Sequence, residues 1–207
     1  MKLFLSSLTI SKTQAPHFIK LVGKEAQDIK LALIENAVDS YGEPKDWVIQ
    51  NREAIQSHGF AVELLDLNDY RNSKEALHDK LASLDAIWLG GGNVYYLRWL
   101  LQETGADELI KDLVGQGLVY SGGSAGAIIA GPTLKYFETA DDPNDAPEVI
   151  MDGLYLTDTV VVPHMDNEKF AKVIHNINEN LKRVGHKTVP LTDAQALVID
   201  GDTQEIV

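Results

Sequence analysis

Short apolar runs recur along the first part of the chain, and longer helix-periodic segments separate them. Each run has the length and continuity that are typical of a strand buried on both faces of a parallel sheet. The runs predict β-strands at residues 2–7, 30–37, 61–66, 86–89 and 117–121. The segments between and after them predict helices at about 15–24, 44–57, 72–83 and 94–115, the last with a break near Gly105. This alternation predicts an α/β fold with a mostly parallel sheet and helices on both faces.

The pattern changes after Gly131. Residues 138–148 are acidic and contain two prolines, which predicts a loop. A strand, an amphipathic helix and two short strands are predicted beyond it, at residues 154–163, 167–184, 195–200 and 203–207. Asn167 is the expected N-cap of that helix, and Asp200-Gly201 is the expected turn between the last strands. Because the chain shows no repeat, low-complexity tract or linker, we expect a single domain over residues 1–207.

Composition narrows the class of protein. With 44% hydrophobic and 24% charged residues, the chain can bury a sizeable core, and its net charge of −13 disfavours nucleic-acid or anionic-membrane partners. It contains no cysteine, which excludes disulfides, thiolate metal sites and cysteine nucleophiles. No apolar run approaches the ~18 residues of a membrane helix. Because Ser6, Ser7 and Thr9 interrupt the apolar start, we interpret it as a strand rather than a signal peptide, and we expect a cytoplasmic protein.

Residues 119–131, VYSGGSAGAIIAG, join an apolar strand to a glycine-rich turn and a helix-forming segment. Gly122-x-Ser124-x-Gly126 fits the G-x-S-x-G nucleophile elbow, in which a serine occupies a tight turn between strand and helix. The helix that follows presents free N–H groups and the positive end of its dipole to developing negative charge. The pattern indicates Ser124 as a nucleophile, but it fits an ordinary strand-to-helix turn or an anion-binding loop equally well.

A serine nucleophile needs a general base, usually histidine, and a carboxylate that orients the base. His164 follows an apolar strand, so we expect it at a strand's carboxyl end, on the same rim of the sheet as Ser124. The other histidines are interpreted as surface, mid-helix or turn residues: His17, His58, His78, His175 and His186. The pattern does not choose among the candidate orienting acids, which are Asp141, Asp142, Asp158, Asp166 and Asp193.

A second glycine cluster, WLGGGNVYYL at residues 89–98, separates a predicted strand from a helix. Its spacing is not G-x-G-x-x-G and it follows the fourth strand rather than the first, which argues against a dinucleotide site. The loop containing Gly91 and Gly92 is expected at the same rim as Ser124. Its backbone N–H groups would supply one half of an oxyanion hole, and the N–H of Ala125 the other. A plain tight turn is the alternative.

Four segments occur in order along the chain: GGGN at 90–93, GGSAGA at 122–127, GPT at 131–133 and PH at 163–164. In this combination, the chain resembles the peptidase E (aspartyl dipeptidase) and cyanophycinase family of serine peptidases over nearly its whole length. The resemblance implies a three-layer α/β/α sandwich related to class I glutamine amidotransferases, with serine in place of their cysteine. It also implies hydrolysis of short peptides without a metal or organic cofactor.

The resemblance gives roles to residues by position. It makes Ser124 the nucleophile and His164 the base. It assigns oxyanion and substrate contacts to Gly91, Gly92, Asn93 and Ala125. Peptidase E carries a Glu after a Leu-Pro pair near the end of its chain, and the matching position in Leu191-Thr192-Asp193 makes Asp193 the expected orienting acid. Asp141 and Asp142 remain alternates, because an Asp shortly after the GPT segment has also been assigned this role in the family.

One departure from the family bears on the substrate. After its histidine, peptidase E has a longer loop with a Thr-Arg-Glu-Gln-Arg stretch, whereas HMDNEKFAKVI here enters a helix without arginine. Lys169 and Lys172 substitute poorly for an arginine that binds a carboxylate with two hydrogen bonds. We therefore expect a serine dipeptidase whose preference for Asp-X bonds stays open. The alternatives are a cyanophycinase-like or isoaspartyl-peptide hydrolase and a non-catalytic binding homologue; whether the protein is a monomer or a homodimer is not predicted.

Overall fold

A computed structural model describes residues 1–42 and 45–207 of the chain. The strands of this described part are β1 (Lys2–Ser6), β2 (Lys30–Ile34), β3 (Ala61–Leu64), β4 (Ala86–Leu89), β5 (Val119–Gly123), β6 (Thr159–Val162), β7 (Lys187–Pro190), β8 (Ala196–Asp200) and β9 (Thr203–Ile206). Seven of them form one sheet in the order β3-β2-β4-β5-β1-β8-β9. Strands β1 to β5 are parallel, β8 pairs antiparallel with β1, and β9 pairs antiparallel with β8. The mostly parallel sheet is therefore as predicted.

The α-helices of the described residues are α1 (Ala15–Val22), α2 (Asp46–Gln56), α3 (Lys74–Ala82), α4 (Val94–Thr104), α5 (Ala106–Gln116), α6 (Ala125–Ile128) and α7 (Ala171–Arg183). The predicted break at Gly105 is confirmed, since this residue has a φ of 73° and separates α4 from α5. Residue 44, where the second helix was expected to begin, lies outside the described residues. Across residues 1–42 and 45–207, none of the helices is long and apolar enough to cross a bilayer.

Side chains of the central strands alternate between two apolar cores. Phe4 of β1 packs with Phe18 of α1, and their rings meet edge to face with centroids 5.4 Å apart. Its neighbours Leu3 and Leu5 belong to the other core, together with Leu97 of α4. Because consecutive residues of a strand face opposite sides of a sheet, both faces of the sheet are covered. The predicted three-layer α/β/α sandwich is confirmed.

Two predicted strands extend too far at their carboxyl ends. The strand predicted over residues 30–37 ends at Ile34, and the strand predicted over residues 61–66 ends at Leu64. Asn36 Nδ2 donates to Asp66 Oδ1 over 2.7 Å, so side chains join the two turns where ladder pairing stops. These apolar runs continue into the turns because Ala37 and Leu65 are buried in the core without belonging to a strand.

The fifth strand lies two residues later than the predicted 117–121. Helix α5 continues to Gln116, and Gly117 ends it with a φ of 117°. Strand β5 therefore begins at Val119 and runs through Gly123, directly up to Ser124. This shift places the end of the strand against the glycine-rich turn.

The second half of the chain departs most from the predictions. Only Thr159–Val162 of the predicted strand 154–163 is a strand, and it pairs in parallel with Lys187–Pro190, a strand that the sequence did not indicate. The predicted helix 167–184 begins at Ala171, with Phe170 at the N-cap. Asn167 is not the N-cap, because it lies in the turn before the helix. There its carboxamide accepts from the Lys169 N–H and donates to Asp193.

Candidate active site

Ser124 lies between the carboxyl end of β5 and the first residue of α6. Its backbone has a φ of 51° and a ψ of −113°, outside the favoured regions for a non-glycine residue. The Ser124 N–H donates to the Ser6 carbonyl over 3.2 Å, and its own carbonyl accepts from the N–H groups of Ala127 and Ile128. These bonds hold the strained residue between β1 and the short helix, as the elbow motif requires.

Gly126 explains why this turn needs glycine. A Cβ atom at this position would lie 2.1 Å from the Leu89 carbonyl oxygen, well inside van der Waals contact. The missing side chain lets α6 approach the end of β4 closely. Ser124 consequently sits at the carboxyl edge of the parallel strands, where α/β proteins hold their ligands.

His164 and Asp193 continue from Ser124 in a hydrogen-bonded series. His164 Nε2 lies 3.0 Å from Ser124 Oγ, and His164 Nδ1 lies 2.5 Å from Asp193 Oδ1. His164 follows the carboxyl end of strand β6, as predicted, but β6 belongs to a separate two-stranded sheet and not to the sheet that leads to Ser124. Its φ of 63° turns the backbone sharply after Pro163. The arrangement allows proton transfer from the serine hydroxyl to the imidazole.

Ser7 is a member of this network that the sequence analysis did not assign. Its buried hydroxyl accepts from the His164 N–H over 2.8 Å and donates to Asp193 Oδ1 over 3.1 Å. The register of β1 against β5 pairs Ser6 with Gly123, so the next residue, Ser7, lies beside Ser124. A serine directly after a strand that neighbours the elbow strand was the available signal.

The Asp193 carboxylate is held in its ionised form. Burial raises the pKa of Asp193, but the hydrogen bond and charge of His164 and hydrogen bonds from Asn167 and Ser7 outweigh it, so the pKa lies below its ordinary value. The Asp193 N–H donates to Asp166 Oδ1 over 2.8 Å, which fixes the loop between β7 and β8. An ionised carboxylate at Nδ1 favours the tautomer whose Nε2 can accept a proton.

The other candidate acids have different partners. Asp158 pairs with Lys187 at the surface, and Asp142 accepts from the Asn144 N–H within its own turn. Asp141 lines the same cleft as Ser124, but its Oδ2 accepts from the Val94 N–H rather than from the histidine. Among the described residues, Asp193 is the acid hydrogen-bonded to His164.

The turn after β4 lies against the serine. A Cβ built on Gly91 would lie 3.6 Å from Ser124 Oγ, and Gly92 adopts a φ of 143° that glycine tolerates. Within residues 1–42 and 45–207, no hydrogen bond uses the backbone N–H groups of Gly91, Gly92 or Ala125. The predicted oxyanion donors thus flank the serine with free N–H groups, although their direction toward a substrate stays a prediction.

The predicted substrate contact of Asn93 is not supported, because this residue is bonded within the protein. Its side chain is buried, and its Oδ1 accepts from the N–H groups of Tyr95 and Tyr96 as the N-cap of α4. Its Nδ2 donates to the Asp142 carbonyl and to Asp145 Oδ2 over 2.8 and 3.0 Å. Asn93 therefore fixes the 141–145 loop against α4 beside the cleft.

A cleft of about 810 Å³ opens over these groups. Partly exposed aromatic side chains flank it, and the Phe170 ring centroid lies 6.3 Å from that of His164. The residues that line it include Tyr41, Trp47, Gly91, Gly92, Ser124, Phe137, Asp141, His164, Asp166, Glu168, Lys169, Phe170 and Asp193. Acidic groups outnumber basic ones in this lining, so its potential favours cations over anions.

An α/β sandwich with a serine on a strand–helix elbow and a histidine within hydrogen-bond reach is the architecture of serine hydrolases. The chain matches peptidase family S51 over residues 3–207, and it belongs to that family. It is therefore a peptidase, and the family makes it one of the serine type.

Individual relatives agree with this assignment. The chain is 32% identical to an uncharacterized peptidase of Listeria monocytogenes over 75% of both chains. It is 26% identical to peptidase E of a Nostoc species over 77% of this chain and 60% of that protein. A crystal structure of a candidate peptidase E from Listeria monocytogenes superposes with a TM-score of 0.85 at 29% identity, covering 100% of this chain and 97% of the other.

Proposed function

We propose that the protein is a serine exopeptidase of short peptides, with Ser124 as nucleophile, His164 as general base and Asp193 as the acid that orients the imidazole. The observation that carries the proposal is the continuous series from Ser124 Oγ to His164 to Asp193, with distances of 3.0 and 2.5 Å. The first distance also argues against a non-catalytic homologue, because such a protein has no need to keep the two side chains in contact.

The proposed mechanism follows from this geometry. His164 Nε2 takes the Ser124 proton as Ser124 Oγ attacks the scissile carbonyl carbon. The N–H groups of Gly92 and Ala125 stabilise the negative charge that develops on the carbonyl oxygen. His164 then protonates the departing amine, and a water molecule activated by the same imidazole releases the acyl group from Ser124.

The dimensions and the relatives support short peptides as substrates. A cleft of about 810 Å³ holds a small ligand rather than an extended chain. Related proteins carry the name peptidase E, but the aspartate preference that the resemblance implies finds little support in the lining of the cleft. Lys169 is the sole lysine or arginine among the described lining residues, against four carboxylates. An aspartyl side chain would be repelled there.

A second candidate follows from the same charges. An acidic cleft suits a substrate with a cationic side chain, as in the β-aspartyl-arginine linkages that cyanophycinase-like enzymes hydrolyse. An isoaspartyl-arginine dipeptide, compared with its α-linked isomer, separates this activity from ordinary dipeptide hydrolysis.

A dipeptide panel tests the proposal. Asp-X, isoaspartyl-X, neutral and cationic dipeptides are incubated with wild type, Ser124→Ala and Ser121→Ala. Ser121 is a matched control, since it lies in β5, the strand that leads to Ser124, and its hydroxyl donates to the Ile87 carbonyl rather than lining the cleft. We expect Ser124→Ala to lose at least ~10³-fold in turnover while Ser121→Ala keeps it. Hydrolysis that survives in folded Ser124→Ala would refute the assignment.

A further inference from the structure

Asp141 is a cleft carboxylate for which the proposed mechanism has no use. It lies in the loop between α6 and β6 and lines the cleft together with Ser124 and Gly92. Its Oδ2 accepts from the Val94 N–H over 2.9 Å, two residues beyond Gly92. This bond fixes the carboxylate to the turn that carries the proposed oxyanion donor.

The Asp141 carboxylate has no ion-pair partner in the described part of the chain, although a protonated His164 would act on it from a distance. Neither a lysine nor an arginine is within ion-pair distance there, and Oδ1 accepts no hydrogen bond from a described residue. The side chain is partly buried, and burial together with the nearby Asp145 raises the pKa of Asp141 to about 6. The group is still mostly ionised at neutral pH, and a desolvated anion of this kind is stabilised by a cationic ligand.

The expected substrate register brings a cation to this place. When the scissile carbonyl oxygen bonds to Gly92, the departing amine must face His164, which protonates it. The residue that supplies the carbonyl then lies on the Gly92 side, and its α-nitrogen is only two bonds from the carbonyl carbon. In a peptide cleaved after its first residue, that nitrogen is a free ammonium group.

We propose that Asp141 binds the α-ammonium group of the substrate and thereby restricts the enzyme to peptides with a free N-terminus. This inference rests on the proposed function of Ser124 and deepens it by naming the group that the cleft selects. An internal peptide bond has an uncharged amide at the same position and leaves the Asp141 carboxylate desolvated without a cationic partner. Selection of a terminal residue follows from this difference, without any requirement on the residue's side chain.

The test compares free and N-acetylated forms of the dipeptides that the wild type hydrolyses best. Asp141→Asn removes the charge but keeps an oxygen that can accept from Val94, so a purely structural role survives the change. Asp142→Asn is the matched control, because it removes the neighbouring charge from an exposed side chain that caps its own turn.

We expect the wild type to prefer free dipeptides roughly 10- to 100-fold in kcat/KM. Asp141→Asn should lose most of that preference through a higher KM for the free form, with the acetylated form unchanged or improved. Asp142→Asn should behave as wild type. An equal preference in Asp141→Asn, or a wild type that hydrolyses both forms equally, would overturn the inference.

A fluorophosphonate probe separates failure of the inference from failure of the proposed function. If Ser124 is labelled but no dipeptide is hydrolysed, protection against labelling replaces turnover as the readout. Dipeptide amides should then slow the labelling of wild type more than their N-acetyl forms do, and this difference should be absent in Asp141→Asn. Equal protection of wild type by the two forms overturns the inference. If Ser124 is neither labelled nor needed for hydrolysis, the proposed function fails and the inference falls with it.

Discussion

The Ser7 hydroxyl lies 3.1 Å from Asp193 Oδ1, although 186 positions separate the two residues. The same hydroxyl accepts from the His164 N–H over 2.8 Å. One buried side chain at the end of β1 therefore fixes the backbone of the proposed base and the carboxylate that orients it. The network makes Ser7 a positioning residue, with no contact to the reacting atoms.

Ser7→Ala should slow the enzyme without weakening substrate binding. We expect kcat to fall roughly 10- to 100-fold with KM nearly unchanged, since supporting hydrogen bonds of active-site ligands have effects of this size. The partly buried His164 N–H loses its acceptor, which costs about 1–3 kcal/mol of stability. Steady-state kinetics and urea unfolding measure the two effects.

Ser6→Ala is the matched control, because the Ser6 hydroxyl donates to the Thr9 carbonyl and does not reach Asp193. A purely structural Ser7 would lower stability and leave kcat unchanged. The network predicts instead a fall in kcat beyond the loss of stability, since Ser7→Ala removes a hydrogen bond that holds the Asp193 carboxylate against His164.

Asp193→Asn should lower kcat by about 10³- to 10⁴-fold, as loss of the carboxylate lets the imidazole adopt the wrong tautomer. His164 is hydrogen-bonded to Asp193 and not to Asp142, so Asp142→Asn should keep kcat within a factor of ~3. Steady-state kinetics of both variants, measured side by side, compare the two losses of kcat. A larger loss in Asp142→Asn than in Asp193→Asn would contradict the assignment.

Asp141→Asn should stabilise the fold at neutral pH. The pKa of Asp141 rises from 3.8 to about 6, chiefly because of burial, and the titratable groups around it are Asp145, His164, Tyr41 and Tyr95. Because the folded pKa lies above the unfolded one, the favourable contribution is present below pH 3.8 and is lost as pH rises through 6. Raising the pKa this far corresponds to up to about 3 kcal/mol in the free energy of unfolding.

Urea unfolding at pH 8 and pH 4 measures this effect. The Asp141→Asn variant should exceed wild type by ~1–3 kcal/mol at pH 8, and the difference should nearly vanish at pH 4. A difference that is equal at both pH values would mean that titration of Asp141 is not its source. Increased stability with lost selectivity for the free amine is the expected result of neutralising a binding group.

Gly91→Ala and Gly92→Ala should have different consequences. A Cβ on Gly92 would lie 2.3 Å from the Ala37 carbonyl oxygen at a φ of 143°, so this variant should lose more than ~2 kcal/mol of stability. A Cβ on Gly91 would approach Ser124 Cβ to 3.2 Å at an ordinary φ, so this variant should fold and lose activity. Thermal unfolding and kcat distinguish the two; full activity in Gly91→Ala would contradict the proposed contact.

The first half of the fold could be predicted because its strands are buried on both faces. Such strands form continuous apolar runs. Gly105 and the G-x-S-x-G turn mark the boundaries between neighbouring elements to within a few residues. The strand ends could not be predicted, since contacts across the chain set them. Asn36 and Asp66, for example, close two turns by bonding to each other, and neither sequence segment shows this alone.

Some residues of the candidate site could be predicted from local sequence, and others depend on contacts between distant segments. Ser124 and His164 follow recognisable strands, and their motifs lie close to them in sequence. The parallel strand β7 carries no local signal, and the only signal at Ser7 is its position directly after a strand. The roles of both arise from pairing with segments that are distant in sequence. Asn167 was expected at a helix N-terminus, but its carboxamide bonds to Asp193 instead. Tertiary contacts here override a local preference for capping.

The role of Ser124 as nucleophile is tested by locating the adduct that a fluorophosphonate forms. Wild type, Ser124→Ala, Ser121→Ala and His164→Gln are treated at pH 8, and the modified residue is identified by mass spectrometry of peptides. We predict a single adduct on Ser124 in wild type and Ser121→Ala, none in Ser124→Ala, and labelling at least ~100-fold slower in His164→Gln. An unmodified Ser124 in an enzyme that still hydrolyses peptides, or an adduct on another hydroxyl, would refute Ser124 as the nucleophile.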